Sequence, residues 1–117
     1  MVFTGGKMAK DSFFVVACRI LTYLYACLRA GEDVDGNAIS PDKLGINPRY
    51  WISALSMMTD EGYIKGVKFS KTLGNIYEAD LRDASITMKG IEFLENNTMI
   101  AKAKDIIKGI KEIVPGW

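Results

Sequence analysis

Residues 47–64 read Asn47-Pro48-Arg49-Tyr50-Trp51-Ile52-Ser53-Ala54-Leu55-Ser56-Met57-Met58-Thr59-Asp60-Glu61-Gly62-Tyr63-Ile64, and they are the most informative part of the sequence. Asn47 can accept the free amides of a first helical turn, and Pro48 is preset for the first helical position. Gly62 supplies the left-handed exit that commonly ends a helix. The stretch therefore predicts one helix, specified at both ends, that turns directly into a strand.

The apolar spacing divides this helix into two faces. Ile52, Leu55 and Met58 share the predicted inner face, with Trp51 at its boundary. Six side chains are left for solvent or a partner: Arg49, Tyr50, Ser53, Ser56, Met57 and Asp60.

A small hairpin follows the helix. Ile64, Val67 and Phe69 are expected to face inward, and their change of parity requires one extra residue, for which Gly66 is the natural bulge. A turn over residues 70–75 then lets residues 76–81 return antiparallel. A capped helix followed by a hairpin is typical of a winged helix-turn-helix, in which the hairpin is the wing.

Two helices are predicted ahead of this unit. Asp11 or Ser12 can cap the first, which runs to about Ala30 and ends at Gly31. It is apolar on two sides, so it must be covered either by another helix of its own chain or by a second subunit. A second, short helix is indicated by Ser40-Pro41-Asp42-Lys43-Leu44-Gly45.

Two helices are also predicted after the hairpin. Thr87 can cap one of them, which Ile86 and Ile91 staple at its start and which runs to about Asn96. Asn96-Asn97 is expected to break it, and a last helix from Met99 to Val114 is expected to cover the first helix. The fold class is thus α+β and predominantly helical.

The chain is expected to form a single domain over residues 11–117. A loose leader, residues 1–10, is expected to precede it, with Met8 as the expected start of the natural domain.

Composition narrows the function. The chain has 117 residues, 15 basic and 14 acidic, so no strong global field draws it to nucleic acid or to an anionic membrane. It contains no histidine, which excludes Ser-His and Cys-His catalysis and removes the commonest transition-metal ligand, so we expect no enzymatic activity, no cofactor and no metal. Cys18 and Cys27 lie on opposite faces of one helical run and are expected to be unpaired, buried apolar residues of a cytoplasmic protein. The apolar run 13–28 is shorter than a bilayer requires and contains Arg19, so no membrane association is expected.

Several runs together resemble the YjcQ-like family, small proteins of certain Gram-positive bacteria and their phages. They are Met8-Ala9-Lys10-Asp11, Leu21-Thr22-Tyr23-Leu24-Tyr25-Ala26-Cys27-Leu28, Asp60-Glu61-Gly62-Tyr63-Ile64-Lys65-Gly66-Val67, Ile86-Thr87-Met88-Lys89-Gly90-Ile91-Glu92-Phe93-Leu94 and Lys108-Gly109-Ile110-Lys111-Glu112-Ile113-Val114-Pro115-Gly116. The resemblance implies a winged-helix-like domain, often associated with phages or prophages. It brings no catalytic residues.

A regulatory DNA-binding role is the leading functional interpretation. The helix from Pro48 would enter the major groove, and the predicted contacts are Tyr50, Ser53 and Met57 to bases and Arg49, Lys65, Lys68 and Lys71 to phosphates. Against it, Asp60 and Glu61 lie on the same unit, and the helix has a single arginine. Weak nonspecific binding and the absence of any nucleic-acid role stay open.

The alternative is a protein-interaction adaptor with no nucleic-acid role. Tyr50, Met57 and Trp51 could form an apolar anchor patch, and the two-sided first helix, with the last helix, could form a homodimer seam.

A calcium loop at Asp33, Asp35, Gly36 and Asp42 is disfavoured because its first position, Gly31, offers no carboxylate.

Overall fold

The computed structural model describes residues 12–71 and 77–103. The described part is α+β and mainly helical. Its elements are helices α1 (Phe13–Ala30), α2 (Pro41–Leu44) and α3 (Pro48–Asp60), strands β1 (Ile64–Lys65), β2 (Lys68–Lys71), β3 (Tyr77–Asp80) and β4 (Ser85–Ile86), and helix α4 (Met88–Ala103). The predicted leader, residues 1–10, lies outside the described residues.

Helix α1 is the centre of the core, and its predicted ends are confirmed. Ser12 Oγ accepts a hydrogen bond from the Val15 amide at 3.3 Å, and Gly31 adopts the left-handed conformation with φ 67°. The helix packs against α3, α4 and β4. On its second apolar side, Leu21 is fully buried within the chain without a second subunit, whereas Leu28 is 51% exposed. The homodimer seam stays a prediction.

Helix α1 is also long and apolar enough to cross a membrane, by length and composition, and it is the one such helix within residues 12–71 and 77–103. Of this helix, 61% is buried inside the protein. A core helix meets the same criteria, and its burial by α3, α4 and β4 favours that role.

The predicted caps of α2 and α3 are confirmed. Ser40 Oγ accepts from the Lys43 amide at 3.2 Å, and Asn47 Oδ1 accepts from the Arg49 amide at 2.7 Å. Gly62, just beyond α3, has φ 82°, which is the left-handed exit expected for it. A turn of 3-10 helix over Gly36–Ile39, absent from the predicted polar loop, precedes α2.

The inner face of α3 differs in phase from the prediction. Leu55 and Met58 are buried as expected, but Ala54 is fully buried beside them, whereas Ile52 is only half-buried. Ile52 instead lines a groove shared with Ser70 and Ala79 of the hairpin. The side of α3 that carries Ala54 therefore faces the core, and the hairpin lies against the neighbouring side, which carries Ile52.

The predicted hairpin is confirmed as strands β2 and β3, which pair antiparallel from Lys68 opposite Asp80 to Lys71 opposite Tyr77. Phe69 is exposed, contrary to its expected inward position, because all four residues of β2 lie at the surface. A second antiparallel pair, β1 with β4, places Ile64 opposite Ile86 and was not predicted.

Gly66 joins the two strand pairs at φ 81°. A Cβ on it would lie 2.0 Å from the Asp83 carbonyl oxygen. The predicted bulge within a single strand is wrong, because Gly66 lies between β1 and β2, which pair with different strands. A glycine is required there for a steric reason, because the returning chain at Asp83 leaves no room for a side chain.

Helix α4 begins as predicted but does not end as predicted. Thr87 Oγ1 accepts from the Gly90 amide at 3.1 Å, which confirms the cap. The expected break at Asn96-Asn97 and the separate start at Met99 are wrong, because α4 runs without interruption to Ala103. Asn97 Nδ2 donates to the Phe93 carbonyl one turn back, at 2.7 Å, so its side chain is satisfied within the helix. The rest of the predicted last helix, residues 104–114, lies outside the described residues.

Candidate nucleic-acid interface

The outer side of α3 carries exposed polar side chains. Arg49 lies in its first turn and Ser53 one turn later, and both are exposed. Because residues four apart lie on one side of a helix, these two side chains form a continuous strip opposite the buried Leu55 and Met58. Asp60 continues this side at the other end of the helix and is also exposed.

The two apolar residues predicted to face bases are placed differently. Tyr50 is half-buried and packs against the core. Met57 is 46% exposed but lines a pocket together with Phe13 and Tyr63, at the start of α1 and just after α3. Both residues therefore lie at the edge of the strip formed by Arg49 and Ser53.

The three predicted lysines are all exposed, on β1 and β2. Lys65 ends β1, while Lys68 and Lys71 are the first and last residues of β2. Lys68 Nζ lies 3.2 Å from Asp83 Oδ2, and both side chains are about 70% exposed, at 71% and 69%. An exposed ion pair of this kind contributes roughly 0–1 kcal/mol to the stability of the fold, so an anionic ligand could replace Asp83 as the partner of Lys68 with little loss of stability.

A groove brings the helix and the hairpin together. Pro48 and Ile52 of α3 form one side of it, and Ser70 of β2 and Ala79 of β3 form the other, with a volume of about 440 Å³. The structure thus places the N-terminal half of α3, which carries Arg49 and Ser53, beside the strands that carry Lys68 and Lys71.

Carboxylates on and beside the hairpin moderate its positive charge, and they were not among the predicted site residues. Arg82 holds Asp80 through a two-pronged contact, with Nη2 2.7 Å and Nε 3.1 Å from Oδ2. Hydrogen bonds from Arg82 lower the pKa of Asp80 to about 2. Glu78 is exposed on the same strand. The sequence signal for this ion pair is the spacing of Asp80 and Arg82, which lie two residues apart where the strand ends and a turn begins.

The acidic loop after α1 serves local structure. Asp35 Oδ1 accepts from the Asn37 amide at 3.0 Å, and the Asp35 amide donates to the Tyr23 hydroxyl at 2.8 Å. Within residues 12–71 and 77–103, no group of three His, Cys, Asp or Glu residues is placed to hold a metal ion.

The two cysteines are free and buried, as predicted. Burial raises the pKa of the Cys18 thiol to about 12, and it also raises the pKa of Cys27. Because the thiolate is the reactive form, neither position is set up as a nucleophile.

Comparison with known proteins places this chain in a family. Residues 18–113 match the YjcQ protein family. The chain is also 32% identical over 89 residues to a Bacillus subtilis (strain 168) protein named "Uncharacterized protein YjcQ", a match that covers 75% of this chain and 89% of that one. It has no significant match among solved structures. From the extent of both matches, the chain belongs to the YjcQ family.

Proposed function

We propose that this protein is a winged-helix DNA-binding protein in which α3 is the reading helix and β2–β3 is the wing. The observation that carries the proposal is the close approach of the two elements across a groove lined by Pro48, Ile52, Ser70 and Ala79 and by the carboxylates Glu78 and Asp80. Arg49 and Ser53 are exposed on the helix at one side of this groove, and Lys68 and Lys71 are exposed on the strand at the other side, outside the groove itself. Helix insertion with flanking phosphate contacts is the docking mode of helix-turn-helix proteins.

The proposed division of labour follows exposure. Arg49, Lys65, Lys68 and Lys71 would contact phosphates, because cationic side chains at the rim of a reading helix set its position on the duplex. Ser53 would face base edges, with Tyr50 and Met57 at the margin of the contact. A single serine gives little base discrimination, so we expect modest sequence preference.

The charge balance sets the expected affinity. Asp80 and Asp83 are each paired with a cation of the described surface, Arg82 and Lys68 respectively. DNA would have to displace Asp83 from Lys68, whereas Asp80 can remain with Arg82. We therefore expect binding in the micromolar range at low salt, typical of contacts dominated by phosphates.

The test is a charge reversal on the strands. The triple variant Lys65→Glu/Lys68→Glu/Lys71→Glu should abolish binding to duplex DNA, measured by fluorescence anisotropy. The control Arg29→Glu/Lys43→Glu/Lys89→Glu changes the net charge equally at exposed positions on α1, α2 and α4. It should retain most of the affinity. Unchanged binding by the first triple would refute the docking.

A substitution on the helix tests the second half of the proposal. Ser53→Ala should change the preference among duplex sequences more than the overall affinity, because a side chain facing bases discriminates and one facing phosphates does not. The family resemblance suggests a phage or prophage origin for this regulator, and its free, buried cysteines favour a cytoplasmic location. The adaptor alternative, with no nucleic-acid role, predicts no salt-dependent DNA binding by any of these proteins.

A further inference from the structure

A second surface lies on the other flank of α3. Phe13 at the start of α1, Met57 in α3 and Tyr63 after it line a concave pocket of about 230 Å³, with Met58 also in its wall. Phe13 and Met57 are 39% and 46% exposed, while Met58 is buried. The pocket is thus an open, mainly apolar site with one buried side chain in its wall, Met58, and two exposed side chains, Phe13 and Met57.

The rim of this pocket is acidic. Asp60 and Glu61 line it, and both are exposed. They stand at the C-terminal end of α3, where the helix dipole adds negative potential. Among the described residues, Lys89 is a cation close to this pocket, and its ammonium lies 5.5 Å from the centre of the Tyr63 ring. The two rim carboxylates therefore favour a cationic ligand and oppose a phosphate.

We propose that this pocket binds a short basic peptide segment of a partner protein, with one large apolar side chain between lysines or arginines. The apolar side chain would enter between Phe13 and Met57, because methionine adapts its shape and aromatic walls supply contact area. The flanking cations would meet Asp60 and Glu61. This site adjoins the proposed DNA contact, because Met57 lies at the edge of both, but it differs from that contact in charge, since it uses the carboxylates that a phosphate would avoid.

The test uses three fluorescein-labelled 12-residue peptides. One has a central Phe flanked by lysines, one a central Phe flanked by glutamates, and one a central Ser flanked by lysines. The first should bind saturably by anisotropy, and the other two should bind at least tenfold more weakly, because each lacks one half of the proposed recognition.

Variants locate the site. Met57→Ser should weaken the first peptide at least fivefold, and Asp60→Lys/Glu61→Lys at least tenfold. The matched control Glu32→Lys/Asp33→Lys reverses an adjacent pair of exposed carboxylates at the far end of α1 and should stay within twofold. Lysines at the end of α3 are compatible with its dipole, and circular dichroism would verify that the double variant is folded.

Three results would overturn the proposal. Equal affinity for the Phe and Ser peptides would show that the binding is nonspecific electrostatic attraction. An equal loss of affinity in the control variant Glu32→Lys/Asp33→Lys would show the same. Self-association of the wild type in sedimentation equilibrium that Met57→Ser abolishes would identify a second copy of the chain as the occupant. None of these measurements uses DNA, so this proposal and the DNA proposal can fail independently.

Discussion

Gly90→Ala should destabilise the protein even though it replaces a helical glycine with alanine. A Cβ on Gly90 would lie 2.2 Å from the Tyr63 carbonyl oxygen and 2.8 Å from Ile86 Cγ1. Optimal separations between non-bonded heavy atoms are roughly 3.5 Å, so α4 and the segment after α3 must move apart by about 1 Å. The junction between α3, β4 and α4 is therefore a site where only glycine fits.

The magnitude follows from what that movement strains. Overpacking of this kind costs about 1–3 kcal/mol. The Thr87 amide donates to the Tyr63 carbonyl at 3.1 Å, and the Thr87 hydroxyl donates to the Gly62 carbonyl. Weakening these two bonds adds roughly 1 kcal/mol each, while the helix propensity of alanine returns about 1 kcal/mol. We expect a net loss of about 3 kcal/mol.

The assay is urea denaturation followed by circular dichroism. The control is the pair Glu95→Gly and Glu95→Ala at an exposed position of the same helix, where alanine should be the more stable by about 1 kcal/mol. If Gly90→Ala equals or exceeds the wild type in free energy of unfolding, the close approach of α4 to the Tyr63 carbonyl is refuted.

Three further predictions follow from side chains of the core and the hairpin. Arg82→Ala should raise the pKa of Asp80 from about 2 toward 3.8, measured by NMR titration of its carboxyl carbon, and a pKa that stays near 2 would contradict the contact. Because the pKa of Asp80 is lowered in the folded state, the stabilisation by this pair is present above about pH 4 and is lost as the pH falls through 2. Cys18 should react slowly with a thiol reagent at pH 8 in the folded protein, because burial raises its pKa to about 12. Labelling of the folded protein as fast as that of the protein unfolded in urea would contradict this burial. Trp51→Phe should cost about 1–2 kcal/mol of unfolding free energy, because it removes the indole donor 2.8 Å from the Ile39 carbonyl, and no loss would show that water replaces this bond freely.

The sequence predicted best those features that depend on local backbone chemistry. Ser12, Asn47 and Thr87 cap helices because a side-chain oxygen within a few residues satisfies a free amide. Gly31 and Gly62 take left-handed conformations for an equally local reason.

Features that depend on distant partners were missed or misassigned. The pairing of Ile64 with Ile86 involves strands of two residues, too short for any periodicity to reveal. Asn97 was expected to break a helix, yet it bonds to the Phe93 carbonyl inside one. Phe69 reads as a core residue by type, but its strand lies at the surface.

The candidate site shows the same division. Exposure of Arg49, Ser53 and the three lysines followed from the helix and hairpin patterns. The pairing of Asp80 with Arg82 and the pocket that joins Met57 to Phe13 did not, because each depends on how the chain folds back on itself.

DNA binding itself is tested most directly by fluorescence anisotropy with a mixed-sequence duplex at about 50 and about 200 mM salt. Four phosphate contacts, from Arg49, Lys65, Lys68 and Lys71, predict that the affinity falls roughly a hundredfold over this range. The strand triple variant should show no binding in the same assay. No binding by the wild-type protein at about 100 μM in the lower salt, or an affinity that does not change with salt, would contradict the proposed function.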